Sequence, residues 1–275
     1  MSKTWFITGA SSGFGRNLTE LLLERGDTVA ATVRRPESLA DLSAAYGEKL
    51  WIATLDVTDT AGIRTVVDAA FAALGRIDVV VSNAGYGLLG AAEELADDEV
   101  LRQLDTNLVG SIQLGRAVIP HLREQGGGRI LQLSSMGGQV AFPGMSLYHA
   151  SKWGIEGFYE AVIPEVASFG IGVTLVEPGG ARTDFGSRSM STSDALPRYA
   201  DTPVGQIRAL AADGTMAIGD PVKMARAIIE SADQPVAPKR LLLGSDAYAM
   251  VTAALQQRLD ELESGKDLAN STDAD

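Results

Sequence analysis

No cysteine occurs among the 275 residues, which excludes disulfides, thiolate metal sites and a cysteine nucleophile. Histidine is nearly absent as well, since His121 and His149 are the only two. There is no His-Glu-x-x-His pattern, and without cysteine a zinc site lacks ligands. Positive charge is in deficit: 23 Lys and Arg stand against 35 Asp and Glu, a net charge of −12. Such a chain repels polyphosphate, so nucleic acid is not an expected partner. No apolar run approaches the ~20 residues that cross a bilayer. Residues Met1 to Thr8 run into a glycine turn too early for a secretory signal, and the expectation is a cytoplasmic protein. On that expectation Asn17-Leu18-Thr19 and Asn270-Ser271-Thr272 match the glycosylation pattern by chance. An interior linker is also missing, with no Pro/Ser-rich tract, long charge run or repeat before the last dozen residues. One domain over 1–264 is expected, with a disordered polar tail over 265–275.

What is present is alternation. Thr4–Thr8, Thr28–Val33, Leu50–Leu55, Ile77–Val81, Arg129–Leu133, Gly172–Glu177 and Arg240–Leu243 read as short apolar or β-branched strands. Between them, Gly13–Arg25, Pro36–Tyr46, Thr60–Leu74 and Asp97–Gln125 read as helices. A further helix carries Trp153–Val166, and Pro164 is expected to kink its second half. This order implies parallel strands joined by right-handed crossovers. The predicted fold class is α/β, a single-domain Rossmann fold with a doubly wound sheet of about seven strands and helices on both faces. The span 184–219 breaks the alternation. It carries Phe185, Met190, Leu196, Tyr199, Ile207 and Met216 among polar residues, and reads as a substrate lid or as a plain surface excursion whose apolar residues patch the core.

Two motifs point to chemistry. The first strand leads into Thr8-Gly9-Ala10-Ser11-Ser12-Gly13-Phe14-Gly15 and then a helix. Glycines there allow a tight turn and a close backbone approach, while the helix start offers unpaired N–H groups to phosphate. Tyr148 and Lys152 stand four residues apart, about one turn along one helix face. A cation beside a phenol favours the phenolate, so the Tyr148 pKa is expected to fall toward working pH, fitting it to exchange a proton with a substrate oxygen. His149, next to Tyr148, points about 100° away and reads as packing or solvent-facing.

The spacing Thr-Gly-x-x-x-Gly-x-Gly resembles that of the short-chain dehydrogenase/reductase family, and further residues extend the resemblance in order. Asp56, followed by Val57, matches the family's adenine contact at the end of the third strand. Asn83-Ala84-Gly85 matches its signature after the fourth. Asn107 matches its helix asparagine. Ser135, 13 residues before Tyr148, matches its catalytic serine, and Pro178-Gly179 with Thr183 resembles the segment holding the nicotinamide carboxamide. The run Asn83–Gly90 and the strand end Ala31-Thr32-Val33-Arg34 resemble the branch acting on steroids, retinoids and similar lipophilic alcohols.

The resemblance implies hydride transfer between nicotinamide and a carbon bearing oxygen. Tyr148 would exchange the proton, Lys152 would tune it and hold the ribose, Ser135 would stabilise the oxyanion, and Asn107 would hold a water linking Lys152 to solvent. Ser134 is expected to bond backbone. The second strand ends at Arg34-Arg35 with no acid before Glu37. A guanidinium clamps a 2′-phosphate where an acid would repel it. NADP(H) is therefore expected over NAD(H), with Arg34 the first clamp, Arg35 the second and Ser12 a further contact. Tyr86, Leu88, Leu89, Phe142, Met145, Phe185 and Tyr199 read as an apolar substrate pocket or as ordinary core. The family implies a homodimer or homotetramer. Intact Ser135, Tyr148 and Lys152 argue against a dinucleotide-sensing protein without a substrate, and the chain's length and turn spacing against a sugar-nucleotide epimerase.

Overall fold

Residues Thr4–Thr8 form the first strand, β1, and send alternate side chains into two cores: Trp5 and Ile7 to one, Phe6 to the other. That alternation needs apolar residues at every position of a strand covered on both faces. The computed structural model describes residues 2–183, 185, 189–213 and 217–274. The strands after β1 are β2 (Thr28–Val33), β3 (Leu50–Thr54), β4 (Val79–Ser82), β5 (Gly87–Leu89), β6 (Gly128–Leu133), β7 (Ile171–Pro178), β8 (Met190–Thr192) and β9 (Arg240–Leu243). The helices are α1 (Gly13–Glu24), α2 (Ala40–Tyr46), α3 (Thr60–Leu74), α4 (Asp97–Leu104), α5 (Gly110–Glu124), α6 (Ser146–Val166), α7 (Pro203–Asp213), α8 (Pro221–Asp233), α9 (Ser245–Ser264) and α10 (Lys266–Asn270).

Seven strands make one parallel sheet in the order β3-β2-β1-β4-β6-β7-β9. Helices α1 and α8 cover one face through Leu18, Leu22, Leu23, Ala225, Ile228 and Ile229. Helices α3, α5 and α6 cover the other, through residues such as Val67, Val118 and Tyr159. The strand order reverses between β1 and β4, the crevice where doubly wound sheets bind ligands. The carboxyl ends of β1, β4, β6 and β7 all open there.

Two expectations meet a different structure. The stretch expected as one helix over Asp97–Gln125 is α4, a π-helical turn over Asp105–Val109, and α5. Helix α6 runs on through Pro164 to Val166, so the proline stands inside its last turn and does not end the helix. The tail expected to be disordered carries the short helix α10, exposed throughout.

The span 184–219 has its own order. Its β8 pairs with β5 in a separate two-stranded parallel sheet, with Gly87 opposite Met190 and Leu89 opposite Thr192. Asp184 and Met216, part of the expected lid, lie outside the described residues.

Candidate active site

The turn after β1 is built by sterics. Gly9 has φ +69° and Gly13 φ +53°, a region that L side chains rarely adopt. A Cβ on Gly15 would lie 2.3 Å from the Gly9 carbonyl oxygen, so only glycine lets α1 start that close to the strand. Ser12 is the N-cap of α1 in extended conformation, and its hydroxyl makes no cap bond. Asn83 staples the turn: its Nδ2 donates to the carbonyls of Thr8 (2.8 Å) and Gly9 (3.2 Å). In return the Thr8 hydroxyl accepts from the backbone N–H of Asn83 (3.0 Å) and Ala84 (3.1 Å). Thr8 is thus a structural partner of the turn. Ser11 is exposed and Phe14 packs on the core. A Cβ on Gly13 would be 4.0 Å from Thr183, which brings the segment after β7 to the same turn.

Residues Gly9–Gly13 also have the Gly-x-Ser-x-Gly spacing of a hydrolase nucleophile elbow. That chemistry needs a histidine, and both are engaged elsewhere. His121 bonds Asp68 (2.7 Å) and stacks on Phe71, and His149 bonds Gly137 and Phe142.

Arg34 and Arg35 follow β2 and are exposed. Asp56 follows β3, and its Oδ1 accepts from the Thr58 N–H (3.0 Å) and hydroxyl (2.8 Å). Those bonds, with the nearby Arg34 charge, hold the Asp56 carboxyl below its ordinary range. Val57, next in line, abuts Gly110, where a Cβ would lie 2.5 Å from the Val57 carbonyl oxygen. Past β7, the Gly179 N–H donates to Leu243 (2.7 Å) and the Gly180 N–H to Asp246 (2.8 Å). A Cβ on Gly179 would be 2.4 Å from the Asp246 carboxylate.

The chemistry-bearing residues meet at the end of β6. Ser135 caps a short 3-10 turn, with its Oγ accepting from the Gly137 N–H (3.0 Å), and lies near enough to the Tyr148 phenol to pull its pKa down. Lys152 Nζ donates to the Leu133 carbonyl at 2.8 Å and sits 5.7 Å from the Tyr148 ring centroid. Tyr148 and Lys152 are both buried. Burial is the larger influence on Tyr148 and raises its pKa, against the lowering by Ser135. This corrects the expectation of an acidified phenol: with the Lys152 ammonium committed to Leu133, desolvation prevails. Burial also lowers Lys152, to about 8, against the opposing charge of Glu156.

Asn107 lies in the π-helical turn, a feature common at functional sites. Its Oδ1 accepts from the Tyr86 N–H (3.0 Å) and its Nδ2 donates to the Tyr86 carbonyl (2.8 Å). These bonds pin the segment after Asn83-Ala84-Gly85. Ser134 meets its expectation in part. Its N–H bonds backbone, but its buried hydroxyl has no partner among the described residues.

His149 was not expected to matter. It is buried, its Nδ1 donates to the Gly137 carbonyl (2.8 Å), and its Nε2 accepts from the Phe142 N–H (2.9 Å). This assigns one neutral tautomer, and burial lowers the His149 pKa. The ring clamps the loop that carries Ser135. No sequence pattern flags it, because both its partners are backbone atoms. Over the site, Phe185 lies 6.0 Å from Tyr148, ring to ring, and a Cβ on Gly144 would touch Leu89 and Val204 at 3.2 Å.

The model of the short chain dehydrogenase family matches residues 3–194. The chain belongs to that family. A short-chain dehydrogenase from Streptomyces avermitilis has a solved structure that is 41% identical, with a TM-score of 0.93, covering 99% of this chain and 98% of that one. An oxidoreductase of Botryotinia fuckeliana is 39% identical over 95% of this chain and 96% of its own length. A 3-ketodihydrosphingosine reductase from Bacteroides thetaiotaomicron is 40% identical over 65% of this chain and 64% of its own. As a short-chain dehydrogenase, the chain is an oxidoreductase with a nicotinamide cofactor. Its glycine turn fits that group, since Gly9 and Gly15 pack the turn tightly against the protein while Gly13 leaves space open as far as Thr183, at an uncapped helix start. Among the described residues no helix is long and apolar enough to cross a membrane, and no acidic or histidine cluster has the makings of a metal site.

Proposed function

We propose that the chain is an NADP(H)-dependent carbonyl reductase or alcohol dehydrogenase acting on lipophilic ketones and alcohols. The observation that carries this reading is the convergence of Ser135, Tyr148 and Lys152 beside the glycine turn. The bound nicotinamide supplies or takes up a hydride at the carbon bearing the oxygen. Tyr148 gives its proton to that oxygen in reduction and takes it back in oxidation. Ser135 donates a hydrogen bond to the charge developing there. Lys152 keeps a positive charge near the phenol, and Asn107 fixes the Tyr86 backbone. Burial keeps the phenol protonated, so it holds the proton that reduction requires.

Gly9, Ser11, Ser12, Gly13, Phe14 and Gly15 would hold the pyrophosphate side of the cofactor. Asp56 and Val57 would meet the adenine, Asn83-Ala84-Gly85 the ribose and nicotinamide side, and Pro178-Gly179 with Thr183 the carboxamide. Arg34, with Arg35 and Ser12 behind it, would clamp the 2′-phosphate. Phe185, Leu88 and Leu89 supply an apolar wall, consistent with the branch acting on lipophilic alcohols and with the ketone named for the Bacteroides relative. Helices α5 and α6, with Val109 just before α5 and Trp153 on α6 exposed, are the proposed interface of a homodimer or homotetramer.

The test is a titration with NADPH and NADH followed by a panel of ketones and alcohols. Tighter NADPH binding and turnover of apolar ketones are expected. Tight NADPH binding with no turnover of any member would contradict the enzyme reading.

A further inference from the structure

Helix α6 carries Tyr148, Lys152, Glu156 and Glu160 at four-residue steps, so they lie along one face. The first three are buried, and Glu160 reaches the surface. From the sheet, Glu177 of β7 meets Glu156; it is only 1% exposed. One guanidinium serves both. Arg240 of β9 places Nη2 3.0 Å from Glu156 Oε2 and Nε 2.9 Å from Glu177 Oε1. The same Nη2 is 2.5 Å from Glu160, and Arg240 Nε has no aligned acceptor. Glu177 therefore has proximity to the cation without a well-directed hydrogen bond. One amide also spans the pair, Gln139 Nε2 donating to Glu177 Oε1 at 3.3 Å and to Glu156 Oε2 at 3.5 Å.

Glu156 Oε1 and the Ser134 hydroxyl are buried and without hydrogen-bond partners among the described residues. They border one point: a Cβ on Gly138 would lie 2.9 Å from Ser134 Oγ and 3.1 Å from Glu156 Oε1. Two buried carboxylates that share a cation with a third cannot both ionise at ordinary pH without a large penalty.

We propose that Glu156 and Glu177 hold one proton between them and act through Lys152, as positioning residues that keep its ammonium charged beside Tyr148. The second half of this rests on the hydride-transfer reading. The charged groups facing the pair are Lys152 and Glu160 from α6, Arg240 from β9 and, through Glu160, Lys239. The turn after β6 contributes only neutral Gln139 and Ser134, and Asp246 of α9 faces Gly180 instead. Burial and the Glu156 charge lift Glu177 to about 7. Burial lowers Lys152 to about 8. Loss of the shared proton adds negative charge near Lys152, which favours its ammonium.

Infrared difference titration of the cofactor-free protein reads the protonated-carboxyl stretch directly. The band is expected near about pH 6 and lost by about pH 8.5. It should move to lower pH in both Glu156→Gln and Glu177→Gln, because each removes the repulsion between the two buried carboxylates while Arg240 and Glu160 stay in place. In Glu156→Gln the alkaline fall of kcat should move down by roughly one pH unit. No band in the wild-type protein, or a band that titrates unshifted in either variant, overturns the shared proton. An unmoved alkaline limb in Glu156→Gln overturns the action on Lys152, which a purely structural role would leave in place. Absence of wild-type turnover on every substrate would remove the hydride-transfer reading and the role given to Lys152. The shared proton would still be decided by the band.

Discussion

Tyr148 keeps its proton in the cofactor-free protein because burial outweighs the opposing pull of Ser135. His149, beside it, has a different task. Its ring joins Gly137 to Phe142 and so fixes the loop on which Ser135 sits. His149→Phe removes both bonds and should cost roughly 1–3 kcal/mol of stability, measured by denaturant unfolding, with a lower kcat. The pH dependence has a definite sign. Burial lowers the folded-state pKa, so this contribution is complete above the ordinary histidine value of about 6.5 and declines as pH falls below it. Between about pH 6.5 and 5, Tm should drop further in the wild type than in His149→Phe. At Arg34, replacement by Asp should move cofactor preference toward NADH by roughly tenfold or more, read as the ratio of kcat/KM values. An unchanged ratio would shift the role to Arg35 or Ser12. The sequence makes Tyr148 and Lys152 visible together because a four-residue step is a helix-face spacing. It conceals His149, whose partners are backbone atoms, and Glu177, whose partner Arg240 comes from a strand 63 residues onward.

Among the elements, β1, β2 and β9 could be read to the residue, since their apolar runs end sharply at glycine or charge. The π-helical turn at Asp105–Val109 left no mark, because one wider turn barely disturbs a helical period. The structure within 184–219 was equally hidden. Strand β8 is only three residues long and exists through its pairing with Gly87–Leu89. What fastens this span is Glu94. Its buried carboxylate accepts from the N–H of Ala91 (2.6 Å) and Leu196 (2.7 Å), and from Arg208 of α7 at 2.5 and 3.1 Å. Arg208, foremost among these, holds Glu94 down to about 2. The latch should therefore be intact above the ordinary carboxylate pKa of about 4.5 and weaken as pH falls toward about 2. Arg208→Ala strands the buried carboxylate. Amide exchange in α7 should quicken by roughly tenfold or more, with KM for ketone raised and cofactor binding little changed. Unchanged exchange in α7 would mean that the span is held by its apolar contacts alone.

At the scale of the whole molecule, the parallel sheet brings four strand ends to one crevice, each with a separate task. The end of β1 carries the glycine turn, β4 the asparagine that staples it, β6 the serine, and β7 the glycine segment tied to α9. Alternating strands and helices made this arrangement legible, because a doubly wound sheet has few topologies open to it. Everything proposed about function converges on the Tyr148 hydroxyl exchanging a proton with a substrate oxygen. The most direct measurement compares wild type with Tyr148→Phe, taking NADPH affinity and single-turnover reduction of a ketone on the same samples. The account predicts affinity within a few-fold and a rate lower by roughly 10²–10⁴. Equal rates in the two proteins would contradict it.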